Sequence, residues 1–209
     1  MEVKSILDKL TSELVTKHKC HTVILYGSHA QGTATPESDY DLMGVRKSGT
    51  KYRIARKENG IYVDMFVYPE KMLLKLGEEH LHIRKGKILF QKARFGTRLL
   101  AKLEKAARKP AKRLPKDEIA VRKVWAHKMW ERAHKGDIEG NYRRAWLQMS
   151  LLEDYFLLRG KRFSGSKASF AWLKKNDART LKLFDKVLKR PTDMKALKDL
   201  VIRVTKPFH

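Results

Sequence analysis

Cysteine occurs once in this chain of 209 residues, at Cys20. A single thiol builds no disulfide framework and completes no zinc site alone. Long apolar runs are missing too: none approaches the roughly 18 residues that a membrane-spanning helix needs. The acid-containing start MEVKSILDKL lacks the pattern of a secretory signal, so a soluble, cytoplasmic protein is expected. Acidic residues are scarce, with 23 Asp+Glu against 47 Lys+Arg and a formal charge of +24. A hydrophobic content of 42% excludes a disordered chain even with 33% charged residues. The length accommodates one large domain or two small ones, each with a core.

The shortage of acids is uneven. Residues 1–70 hold 10 Lys+Arg and 9 Asp+Glu, a net of +1, whereas residues 71–209 hold 37 and 14, a net of +23. A basic face concentrates phosphate-bearing partners, although lysine-rich surfaces also serve solubility.

Hydrophobic spacing divides the chain in the same way. Ile6, Leu7, Leu10 and Leu14 predict a helix over 3–17, and the apolar run 22–26 (TVILY) predicts a buried strand. Acid and apolar residues alternate over 39–45, the period of a half-buried strand. Segments 52–55 and 61–67 flank Asn59 and Gly60, a pair suited to the positive φ angles of a type I′ hairpin turn. A helix over 69–76 follows, with Met72, Leu73 and Leu76 on one side, then a strand at 87–90 and a helix over 97–108. The stretch 109–115 has two prolines and no periodicity, which marks a linker. Beyond it the strand signals stop. Val121, Val124, Trp125 and Met129 predict one long inward-facing helix, and Tyr142, Ala145, Trp146, Met149, Leu152 and Phe156 a second; shorter helices follow. The expectation is an α+β protein, with a mixed-sheet domain over 1–112 and an all-α helical bundle over 113–209.

The chemistry concentrates in residues 27–42, GSHAQGTATPESDYDL. Gly27 and Ser28 follow the buried strand where a helix should begin. There a glycine lets backbone amides approach phosphate oxygens, and the serine adds a hydroxyl. Asp39 and Asp41 lie two apart, which places both carboxylates on one face of a strand. Paired carboxylates repel unless a cation neutralises them, and Mg²⁺ prefers such oxygen ligands. Asp64 sits in the apolar strand 61–67, where an acid is costly unless paired or metal-bound. Alternation puts Tyr62, Asp64 and Phe66 on one face. If the hairpin pairs beside the Asp39 strand, three carboxylates converge as a two-metal phosphoryl-transfer site requires.

Gly27, Ser28, Ala30 and Gly32, then Ser38, Asp39, Tyr40, Asp41 and Leu42, resemble the signature of the DNA polymerase beta-like nucleotidyltransferase superfamily. Residues 62–65 resemble that superfamily's third-acid strand, and the likeness covers about residues 1–90. The resemblance implies that Gly27 and Ser28 hold a nucleoside triphosphate such as ATP, that Asp39 and Asp41 bind Mg²⁺ or Mn²⁺, and that Asp64 completes the shell of the catalytic metal. Relatives often carry Arg where this chain has His29, and Arg or Trp where it has Gln31. Some place a lysine of the helical domain on the nucleotide's phosphates, a role for which Lys167 is the candidate here. Glu153 borders an apolar helical stripe, as a general base or as half of a buried ion pair. His80, His82, Cys20 and His21 lack metal partners at sensible spacing and read as surface or packing residues. The tryptophans read as core, and the basic segment 84–113 as the place for an RNA backbone contact. The expected reaction moves a nucleoside monophosphate onto an acceptor hydroxyl, with RNA or a tRNA 3′ end favoured by the charge. A small-molecule or protein acceptor and a non-catalytic RNA-binding relative remain open.

Overall fold

Ile6, Leu10 and Leu14 recur every four residues along the first helix, α1 (Val3–Thr16), and all three are fully buried. The computed structural model describes residues 3–206, and the chain divides into two compact units, residues 1–109 and 110–209.

In the first unit the strands β1 (Thr22–Tyr26), β2 (Tyr40–Arg46), β3 (Tyr52–Glu58), β4 (Ile61–Pro69) and β5 (Lys87–Gln91) form one sheet in the order β3-β4-β2-β1-β5. It is a mixed sheet. β1 pairs antiparallel with β2 and β5, β3 pairs antiparallel with β4, and β2 runs parallel to β4. All five residues of β1 are buried, as a continuous apolar run in a central strand covered on both faces should be. α1 packs on one face over Val23, Leu25, Leu42 and Met65. The other face carries Ile24, Met43 and Val45 against Leu99 and Leu103 of α3 (Phe95–Arg108). A short helix, α2 (Gly27–Gln31), links β1 to the loop before β2. Asn59 (φ 51°) and Gly60 (φ 84°) both adopt the positive φ that the tight hairpin turn between β3 and β4 requires.

The helix expected over 69–76 is absent. β4 continues to Pro69, which is still paired with Arg46, so too few residues remain before Gly77 for a stable α-helix. The segment folds instead as 3₁₀ turns at Glu70–Leu73 and Glu78–Ile83.

The second unit is entirely helical among its described residues: α4 (Lys116–Ala133), α5 (Ile138–Leu157), α6 (Ser166–Asn176), α7 (Ala178–Lys189) and α8 (Met194–Thr205). Leu147, Leu151, Tyr155, Phe184, Leu197 and Leu200 centre its core. Asp137, Asp177 and Asp193 each accept a hydrogen bond at the start of a helix, from the backbone N–H of Gly140, Thr180 and Ala196, capping α5, α7 and α8. The inward faces of α4 and α5 differ from the expected ones. Met129, Leu152 and Phe156 are buried, but Val121, Val124, Tyr142 and Met149 are 66–77% exposed and Trp146 is half exposed. α5 carries apolar residues around most of its circumference, so periodicity alone cannot select the stripe that faces the core. No helix among the described residues is long and apolar enough to cross a membrane.

The basic excess also divides differently from the expected near-neutral first third. Residues 1–109 hold 22 Lys+Arg and 12 Asp+Glu, a net of +10, and residues 110–209 hold 25 and 11, a net of +14. The first unit is therefore basic as well, because residues 71–109 alone contribute +9.

Candidate active site

Where β1 ends, the chain turns sharply at Gly27, which has a φ of +69°. Tyr26 is the register partner of Asp41 on β2, so Asp41 lies beside this turn. A Cβ built on Gly27 would stand 2.1 Å from Asp41 Oδ2. Both the backbone angle and this approach demand glycine, because any larger residue would be strained and would displace the carboxylate.

Asp41 is also the register partner of Asp64 across the parallel β2–β4 pair. Adjacent strands lie about 4.8 Å apart, which puts the two carboxylates side by side. Asp39 lies on exposed chain one residue ahead of β2, which begins at Tyr40. The strand expected to include Asp39 thus starts after it, because the preceding loop peels away at Ser38. That loop is tied down. His29 donates from Nε2 to the Ser38 carbonyl at 3.3 Å and stacks on Tyr40 with ring centroids 4.0 Å apart. Where the superfamily pattern led one to expect a cation at this position, the imidazole holds the backbone that carries Asp39.

Burial raises the Asp41 carboxyl to about 7, and repulsion from Asp39 and Asp64 adds to the rise, while Arg53 opposes it. Tyr26, mostly buried and close to the same acids, is also pushed well up. The site therefore holds more negative charge than its own groups neutralise. Arg53 supplies the one strong compensation. Its Nε and Nη2 donate to the two oxygens of Asp64, both at 2.7 Å, a bidentate pair. Arg53 did not stand out in the sequence, yet the hairpin turn encodes its place. Ala55 pairs with Asp64, so Arg53 is a diagonal neighbour on the same face.

These residues suit a divalent cation in part. Asp39 and Asp41 are hard oxygen donors under mutual repulsion, the condition a cation relieves. Asp64 is committed to Arg53. Among the described residues, no three His, Cys, Asp or Glu side chains form a ready metal site.

Lys167 is exposed in the first turn of α6, on the second unit. Glu153 is exposed, and the buried acid of α5 is its neighbour Asp154. Asp154 accepts from Arg122 Nη1 at 2.7 Å. One residue is a 100° step around a helix, which is enough to exchange the solvent face for the core. Cys20 is buried and its thiol is pushed up to about 11 by burial, so it is an inert packing group. His80 is buried and accepts from the Gly77 N–H at 3.2 Å, a structural role.

Residues 7–85 match the model of the nucleotidyltransferase domain family. No curated protein sequence matches the chain. Among solved structures, the chain is similar to the crystal structure of a nucleotidyltransferase-like protein from Exiguobacterium sibiricum 255-15. The identity is 13% and the TM-score 0.42, over 95% of this chain and 73% of that one.

Proposed function

Taking the nucleotidyltransferase domain at residues 7–85 as the premise, we propose that this protein transfers a nucleoside monophosphate from a nucleoside triphosphate to an acceptor hydroxyl on RNA, releasing pyrophosphate. The observation that carries this reading is the under-neutralised acid cluster built on adjacent strands, with Asp41 raised to about 7 against the backbone of Gly27. Crowded carboxylates beside a bare glycine backbone are a place where a cation bound to a triphosphate would relieve the repulsion.

In this reading Asp39 and Asp41 hold a divalent cation, Mg²⁺ or Mn²⁺. Such a cation, when bound, neutralises the triphosphate and the charge that develops on the departing pyrophosphate. The bare backbone at Gly27 admits a phosphate group to close range, and the Ser28 hydroxyl donates to one of its oxygens. The acceptor hydroxyl oxygen attacks the α-phosphorus. Its new bond forms as the bond from that phosphorus to the bridging β-phosphate oxygen breaks, and pyrophosphate leaves with the electron pair. The hydroxyl proton passes to the Asp64 carboxylate, which accepts it once Arg53 has turned away. The acceptor follows from charge: two units at +10 and +14 attract a polyanion and repel polycationic small molecules.

The test supplies each radiolabelled triphosphate with total RNA, a protein extract and an antibiotic panel. Label is expected on RNA, falling at least about a hundredfold when Asp39→Asn and Asp41→Asn are combined, the scale of losing electrostatic transition-state stabilisation. Label that persists in this variant removes the acids from the mechanism. Label that appears on protein or antibiotic instead replaces the acceptor.

A further inference from the structure

The second unit contains a cleft of about 990 Å³, at the upper end of ligand-site volumes. One wall is the first two turns of α4, preceded by the linker residue Arg113. The opposite wall is the end of α5 with the loop after it, and Trp172 of α6 lines the cleft between them. Gly160, with a φ of +62°, lets the two sides meet: a Cβ there would touch the Arg113 stem at 3.4 Å.

The charges of this cleft are one-sided. Arg113, Lys116, Lys123, Arg159 and Lys161 line it, against a single carboxylate, Asp177. That carboxylate is fully engaged. It accepts from the Tyr155 hydroxyl at 2.7 Å, from the Thr180 hydroxyl at 2.6 Å and from Arg203 Nη2 at 2.8 Å, and these bonds hold it well below the usual carboxylate range. Arg159 is structural. Its guanidinium stacks 4.0 Å from the Tyr155 ring centroid and donates to the carbonyls of Tyr155, Val204 and Arg203. Among the described residues, no carboxylate pairs with Arg113, Lys116, Lys123 or Lys161. Four such cations around one cavity repel each other unless an anion joins them.

Shape and aromaticity narrow the ligand. Lys116 and Lys123 are seven residues apart on one face of α4, a rise of about 10 Å, long enough to follow successive phosphates rather than a single one. Trp172 is half-buried and lines the same space, with the Lys161 ammonium over its ring, 4.9 Å from the centroid; a base stacks on this indole once the ammonium swings off the ring onto a phosphate. Repeated phosphates with exposed flat rings describe a single strand. A duplex keeps its base faces stacked away from an indole.

We propose that this cleft is the seat of a single-stranded RNA segment, with phosphates on Arg113, Lys116, Lys123 and Lys161 and a base stacked on Trp172. The choice of RNA rests on the acceptor proposed above; the cleft itself does not depend on the chemistry at Asp41.

Fluorescence anisotropy of the full chain with a labelled single-stranded RNA oligomer, titrated against salt, tests it. The double variant Lys116→Ala/Lys123→Ala should flatten the slope of log affinity against log salt by about 1.4, two single-strand phosphate contacts. The control Lys182→Ala/Lys189→Ala on α7 should leave the slope unchanged. Trp172→Ala should weaken binding roughly five- to hundredfold, and Trp172→Phe should restore most of it. Because Trp172 also packs on the helical core, the lysine pair and the Phe variant keep the test decisive if Trp172→Ala unfolds. An unchanged slope in the lysine variant overturns the proposal, as does equal competition by inorganic triphosphate, which would mark a small-anion pocket. RNA binding that depends on the cleft while no triphosphate ever labels RNA upholds the cleft and removes RNA as acceptor. RNA labelling that survives the lysine variant with affinity intact does the reverse.

Discussion

Asp41 in the first unit and Asp177 in the second are both sheltered carboxylates, and their surroundings treat them oppositely. Asp41 has burial and two neighbouring acids against it, and rises to about 7. Asp177 has two hydroxyls, a backbone N–H and a guanidinium for it, and sits far below its ordinary value. The second unit satisfies that acid internally and leaves cations facing a cavity; the first leaves acids facing one another. Each unit thus keeps unbalanced charge of one sign at one place, where a ligand of the opposite sign gains most. The contrast also explains why Asp177 contributes to folding while Asp41 strains against it.

The largest expected effect tests the supporting role of acids in the helical unit. Arg122→Ala removes the guanidinium partner of Asp154, which is 3% exposed. It should cost about 3 kcal/mol, read as a lower denaturant midpoint; a loss under about 1 kcal/mol would show that Asp154 takes up a proton in place of its partner.

Next comes pH. The folded value of Asp41 is raised above 3.8, so its folded state holds the proton more tightly than the unfolded chain. Stability is therefore lost as pH rises from about 4 to about 7. Asp177 is shifted the other way, so its contribution is lost only as pH falls below its ordinary value. Asp41→Asn should stabilise the protein at pH 8 by on the order of 2 kcal/mol, once partial exposure to water is allowed for, and Mg²⁺ should raise the melting temperature of the parent but not of the variant. Identical pH–melting curves for the two proteins would contradict the repulsion argument.

The smallest stability change and the most pointed test concern Arg53. Its side chain is 58% exposed, so Arg53→Gln should leave the denaturant midpoint nearly unchanged. The same change frees Asp64 and should tighten Mn²⁺ binding measured by calorimetry. Weaker Mn²⁺ binding would instead make Arg53 a support for the site.

Much of this arrangement was legible in the residues. The hairpin turn at Asn59 and Gly60, the central strand at residues 22–26 and the alternation around Asp64 are local signals, and each appears in the fold. The adjacency of β2 and β4 also appears, bringing Asp41 beside Asp64. Other features escaped. Asp39 falls just outside β2 because His29 and Tyr40 anchor the loop, a contact between residues eleven apart. Exposure of Tyr142, Trp146 and Met149 was hidden by a helix apolar on nearly every side. The exchange of Glu153 for Asp154 as the buried acid turned on one residue of helical phase.

The sequence alone determined the order of elements, the mixed α+β character followed by helices, and the placement of three acids on or beside two strands, because period, turn chemistry and spacing act within a few residues. Only the tertiary structure decided how those charges are balanced. Arg53 reaches Asp64, Arg203 reaches Asp177, and four cations from the linker, α4 and the loop after α5 line one cleft with Trp172. Such pairings depend on which distant residues the packing brings within about 4 Å, and at that distance the Coulomb interaction is strong enough to decide which groups are neutralised and which await a ligand.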